Sequence, residues 1–145
     1  KLNPKDAQAY VIRSSAQLDS ATQFKDLDTA IAIDPRCAEA YFARAMTHLL
    51  GDLFEPSEAP PKPAATDAEN YEKALADCTT YIKLRPSDKD GYFVRIMIYT
   101  ELGRTDDALN DCAELVRQRP NDRDLYFLRA ELLTERGRLD EALKD

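Results

Sequence analysis

Residues Lys89–Pro120 read KDGYFVRIMIYTELGRTDDALNDCAELVRQRP. Setting Lys89 as register position 1 makes Pro120 position 32. Tyr92, Ile96 and Tyr99 (positions 4, 8 and 11) then share one face of a 3.6-residue helix. Ala108, Cys112 and Leu115 (20, 24 and 27) share a face of a second helix. Gly103, at position 15, suits the positive φ that ends a helix, and Pro120 cannot continue one. The stretch predicts an antiparallel helix pair, too thin to bury its apolar face unless further pairs stack on it.

The same unit recurs on both sides. Pro4, Pro35, Pro86 and Pro120 mark unit ends, 31, 51 and 34 residues apart. Residues 1–4 read as the tail of a preceding unit, 5–35 as a shortened first repeat, 36–86 as a second, 87–120 as the third and 121–145 as a truncated fourth. The chain thus reads as a fragment of a longer array. The first repeat carries Tyr10, Ser14 and Leu18, and departs from the pattern at its shortened turn, where Gln23 replaces the usual Ala. Ser20-Ala21-Thr22-Gln23 reads as a capping box opening its second helix. The second repeat carries Tyr41, Ala45 and His48, then a Pro-rich insertion over residues 51–65, expected to be extended and to leave the stack intact. Thr66-Asp67-Ala68-Glu69 reads as a further capping box, starting the next helix near Asp67. Ser87 and Asn121 are the expected N-caps of the third and fourth repeats, with Asp90 and Asp124 three residues on.

This pattern resembles the tetratricopeptide repeat, a unit of about 34 residues. The family has large aromatics at 4 and 11, small residues at 8 and 27, Ala at 20, bulk at 24 and Pro at 32. Here Ile96 and Leu115 exceed the usual size at 8 and 27. The resemblance covers the whole chain and implies an all-α fold, a right-handed superhelical array of antiparallel helix pairs forming one domain over residues 1–145. It also implies a concave groove lined by positions 2, 5, 9, 12 and 13 of the first helices. Position 5 is Val11, Phe42, Phe93 and Phe127; position 9 is Ser15, Met46, Met97 and Glu131; position 2 is Gln8, Glu39, Asp90 and Asp124. Positions 12 and 13 add Leu18, Asp19, Leu49, Leu50, Thr100, Glu101, Thr134 and Glu135. The expected groove is Phe42, Phe93, Phe127, Met46 and Met97 within a rim of Glu39, Asp90, Asp124, Glu101 and Glu131. One branch of the family clamps a peptide carboxylate with a cation at position 2 and Asn at position 6. Position 6 here is Ile12, Ala43, Val94 and Leu128, so that clamp is absent.

Position 7 is Arg13, Arg44, Arg95 and Arg129, and position 23 is Asp26, Asp77, Asp111 and Asp145. In a pair that turns near position 15 these come level, so stacked Arg–Asp pairs are expected. Little else has the form of chemistry. The single histidine, His48, stands where Tyr99 stands one repeat on, which reads as packing. No Cys or His spacing matches a zinc site, and no phosphate-binding loop occurs. No catalytic, cofactor or metal residues are expected. A net charge of −7 argues against a nucleic-acid partner, and no apolar run is long enough for a membrane span. Cys78 and Cys112 are expected buried and Cys37 more exposed; three free thiols point to a reducing, cytoplasmic setting.

The function expected is a non-catalytic protein–protein interaction scaffold. Its acidic, Phe/Met-lined groove would take a peptide or helix with apolar and basic residues. The alternatives are a structural segment that self-associates through the open ends of the array, and a regulatory region of a larger multidomain protein.

Overall fold

The computed structural model describes residues 5–50 and 64–144, except the side chains of 64–67. The chain divides into two compact units, Lys1–Pro86 and Ser87–Asp145, the boundary falling between the second and third repeats. The first unit holds α1 (Ala7–Ser15), α2 (Ser20–Ile33), α3 (Ala38–Leu50) and α4 (Ala64–Leu84). The second holds α5 (Lys89–Glu101), α6 (Thr105–Gln118), α7 (Arg123–Glu135) and α8 (Leu139–Ala142). No strand occurs among the described residues, and no helix there is long and apolar enough to cross a membrane.

Each unit is built by pairing sequential helices: α1 on α2, α2 on α3 and α3 on α4 in the first, α5 on α6, α6 on α7 and α7 on α8 in the second. In the first unit, small side chains at the seams (Ala30, Ala40, Ala45 and Ala74) are fully buried beside Leu27 and Cys78, so helices approach closely. In the second, larger residues do the same work: Ile96, Leu115, Tyr92 and Cys112 are buried around Ala108. Positions 3 and 10 also enter the core, as Ala40 and Leu125 and as Thr47, Ile98 and Leu132. Contrary to expectation, Cys37 is buried too, packing with Ala7, Ala30 and Ala40 at the repeat junction. That burial pushes its thiol pKa up.

Gly103 and Gly137 take φ of 67° and 75°. Each closes a Schellman turn: the Gly103 and Arg104 amides donate to Thr100 and Tyr99 carbonyls, and those of Gly137 and Arg138 to Thr134 and Leu133. The first repeat has no such glycine. Its deletion shortens the first helix, not the turn: α1 has 9 residues where α3, α5 and α7 have 13, while α2 keeps the 14 of α6. Gln23 is accommodated by polar contacts. Its Nε2 donates to the Gln17 carbonyl at 2.8 Å, and its Oε1 lies 3.1 Å from the Thr47 hydroxyl.

The helix starts correct several expectations. The cap of α2 is Asp19, not Ser20; its carboxylate accepts the Ala21 and Thr22 amides. The caps of α5 and α7 are Asp88 and Asp122, not Ser87 and Asn121. In each case a carboxylate adjacent to the expected cap serves better, because its charge also faces the positive helix end. α4 begins at Ala64, not near Asp67, so Thr66 lies inside the helix. With 21 residues against the 14 of α6, α4 absorbs part of the inserted length as about two extra turns. Residues 51–63 lie outside the described part.

The Arg–Asp pairs form as the register predicts. Arg13 binds Asp26 bidentately through Nε and Nη2. Arg44 binds Asp77 at 2.8 and 2.7 Å, and Arg95 binds Asp111 at 2.7 and 2.6 Å. The position-4 tyrosine sits under each guanidinium: Tyr10, Tyr41 and Tyr92 lie 5.0, 5.8 and 5.7 Å away, and Tyr126 lies 5.4 Å from Arg129. Asp145 lies outside the described residues. Hydrogen bonds to Asp77 raise the Arg44 pKa above its ordinary value. Burial works against the Arg95 charge, but the hydrogen bonds to Asp111, together with the charges of Asp111, Tyr99 and Tyr92, outweigh it and raise its pKa. His48 packs its ring on Phe24, centroids 4.5 Å apart, as a structural residue. Burial, assisted by Arg44 and Lys73 and opposed by Asp77, depresses its pKa.

Two outcomes follow for stability. The Asp111 and Arg95 side chains are only 10% and 15% exposed. Asp111→Ala therefore strands a poorly solvated guanidinium and should cost about 3 kcal/mol in urea unfolding. Adding Arg95→Ala should cost much less than it does alone, and this coupling should survive raised salt. For His48, the unfolded chain binds a proton at a higher pH than the fold does. Stability should thus fall as pH drops through about 6.5. Comparing unfolding of the native chain and of His48→Tyr at successive pH values should show a shallower loss in the variant.

Candidate functional site

With positions 4, 8 and 11 turned to the core and 7 committed to Asp, positions 2, 5, 9, 12 and 13 form a separate face of each first helix. The two units present this face differently.

In the first unit the face is largely occupied by its own neighbours. Phe42 packs on Tyr81 of α4, ring centroids 4.9 Å apart. Met46 is half-buried and Val11 packs against the core of α1, α2 and α3. The Glu39 carboxylate is bound by Arg85, just past the end of α4. The acid expected to steer a ligand is therefore already neutralised by an ion pair. Ile12 and Leu18 are the large apolar side chains described in this unit that remain exposed.

In the second unit the face is open. Phe127 on α7 is 67% exposed and Met97 on α5 is 46% exposed. Phe93 is half-buried, with Lys89 Nζ 5.6 Å from its ring centre. Asp90, Glu101, Asp124 and Glu131 are all exposed. Two depressions adjoin Phe127. One, of about 550 Å³, is lined by Thr100 of α5 and by Phe127, Leu128, Ala130, Glu131 and Glu135 of α7. The other, of about 570 Å³, is lined by Arg123, Asp124, Tyr126, Phe127 and Ala130. The structure thus brings Phe127 and Glu131 together around one cleft, while Asp124 lines the second depression, on the other side of Phe127.

The groove positions carry no Lys or Arg, yet Lys89 and Arg123 reach the face from position 1. A position-1 side chain lies one turn before position 5 on the same helix face, and that i,i+4 relation is the signal that finds them. Among the described residues, no group of three or more His, Cys, Asp or Glu is arranged to hold a metal ion.

Several solved structures share this architecture. "Crystal structure of MamA" superposes with a TM-score of 0.75 at 17% identity, covering 98% of this chain and 75% of the other. TTC0263, a thermophilic TPR protein of Thermus thermophilus, gives 0.65 at 23% identity, covering 98% and 71%. The first TPR of Spaghetti (RPAP3), bound to the HSP90 peptide SRMEEVD, gives 0.65 at 14% identity, covering 94% and 99%. At these identities the likeness is one of fold. No curated protein matches the chain at a significant level. The profile described as Tetratricopeptide repeat matches residues 63–123 and 94–145, two overlapping segments that together span more than half of the chain. The periodic core, the Schellman glycines and these profile matches agree: the chain belongs to the tetratricopeptide repeat family.

Proposed function

We propose that this protein is a non-catalytic protein–protein interaction scaffold, and that the open face of α5 and α7 binds a peptide or helix carrying apolar and basic residues. The observation that carries this reading is the exposure of Phe127 and Met97 beside a cleft, with exposed carboxylates around them. A phenylalanine two-thirds exposed leaves most of its apolar surface unused by its own fold. Seated against a partner it contributes roughly 25 cal/mol per Å² of apolar area covered, before ordering costs. The carboxylates Asp90, Glu101, Asp124 and Glu131 steer a basic partner and discriminate against an acidic one. The Spaghetti domain holds a peptide whose sequence carries three acids. The rim here has the opposite preference, so SRMEEVD itself is a non-ligand on this reading. Three free, buried thiols support a reducing, cytoplasmic setting.

The second reading is self-association of the array. Sedimentation across a concentration series distinguishes the two, because a monomer at high concentration removes self-association.

The binding face is tested with a fluorescent library of apolar-basic peptides. Phe127→Ala and Met97→Ala should each weaken the best binder about tenfold or more while leaving the melting temperature unchanged within a few degrees. Asp90→Lys with Glu101→Lys should weaken it most at low salt. Melting of Phe127→Ala well below the native chain would assign Phe127 to the fold and remove the proposal.

A further inference from the structure

We propose that the cleft between α5 and α7 is a subsite for an arginine side chain of the bound peptide, with Phe127 as its stacking surface and Glu131 and Glu135 as its acceptors. This rests on the binding-face reading above and specifies which ligand residue lies where. The floor and wall are apolar: Phe127, Leu128, Ala130 and Leu132. The polar groups that reach it only accept. The Thr100 and Thr134 hydroxyls already donate to the Ile96 and Ala130 carbonyls, at 3.0 and 2.8 Å, leaving lone pairs free. The remaining polar lining is the two carboxylates. An apolar wall ending in acceptors fits a long aliphatic stem with a cationic head. The planar guanidinium also stacks on an exposed ring, which an ammonium does less well.

Charge complementarity is sharpened by the fold's own electrostatics. Glu131 and Glu135 are i,i+4 neighbours on α7, a repulsive spacing for like charges. Glu135 and Glu101 end α7 and α5, where the helix dipole is negative and disfavours a carboxylate. The nearby cations are engaged elsewhere: Arg136 with Asp106 at 2.7 Å, Arg138 with Glu141 at 2.7 Å and Arg104 with Asp107 at 2.8 Å. Glu131 and Glu135 are the charged groups that line the cleft, so its field favours a cation. On the other side of Phe127 the second depression is lined by both Arg123 and Asp124, whose opposite charges offset each other, so it favours a cation less than the two carboxylates of the cleft do.

The test uses the 145-residue chain and acetylated peptides in which a central arginine, flanked by leucines, is replaced by citrulline, a neutral isostere, or by lysine. The expected order is arginine, then lysine, then citrulline, with arginine about tenfold tighter than citrulline at low salt. Glu131→Gln with Glu135→Gln should abolish that ratio and leave citrulline binding unchanged. The same variant, without peptide, should melt no lower than the native chain, since it relieves a repulsion. Equal binding of arginine and citrulline, insensitive to the Glu131 and Glu135 changes but lost in Phe127→Ala, would overturn the subsite and keep the binding face. A lysine peptide as tight as the arginine one would overturn the stacked guanidinium. No binding by any of the peptides, together with none from the wider library, would remove the binding face itself.

Discussion

A buried carboxylate at position 23 of the first three repeats is the constraint on which their helix pairs depend. Asp26, Asp77 and Asp111 are almost wholly removed from water. A lone charge there would be strongly destabilising, so each demands a cation delivered at the right height by the antiparallel partner. The position-7 arginine supplies it with two parallel hydrogen bonds, and the position-4 tyrosine flanks the same guanidinium. One interaction thus ties together a residue from each helix and a third from the aromatic core. It also fixes the axial register of the pair, because sliding by a residue would break both bonds at once.

That division of labour leaves the remaining face of the first helix unconstrained by folding. Positions 4, 7, 8 and 11 are committed to the pair, whereas 2, 5, 9, 12 and 13 can vary with whatever they meet. The two units illustrate the range. In the first, Phe42 and Glu39 are engaged by Tyr81 and Arg85 of their own repeat. In the second, Phe127, Met97 and the acids around them remain open.

Much of this was legible in the sequence because the repeat imposes a period, and a period is a local signal. The helix pairs, the glycine turns and the Arg–Asp pairs all follow from residues at fixed spacings. What escaped depends on non-periodic choices. Asp19, Asp88 and Asp122 displaced the expected caps because a neighbouring carboxylate competes with Ser or Asn at almost no cost in geometry. The start of α4 was misplaced because a capping-box pattern inside a helix looks the same as one at its start. The burial of Cys37 depends on Ala7 and Ala30, contributed by other helices, and no one-helix pattern contains them. For the proposed binding face, the register supplies positions but does not tell an acid engaged by Arg85 from one facing solvent.

Arg44 does more than close its own pair. Its Nη1 also reaches Asp28 on α2 of the preceding repeat, at 2.6 Å. Position 25, which Asp28 occupies, is Thr79 and Ala113 in the next two repeats, so the acid that receives this second contact is particular to the first repeat among these three. In a linear array, cooperativity depends on how much each neighbour loses when the next one frays. The first repeat, whose opening helix is four residues shorter than those of the other three, is the natural place for fraying. Because Arg44 holds Asp28 and Asp77 at once, fraying of α2 also removes a partner from the guanidinium that closes the second repeat. With the Asp28 side chain 62% exposed, this link couples fraying of the short repeat to its longer neighbour by about 1 kcal/mol at most, a bias on the order of opening and not a lock.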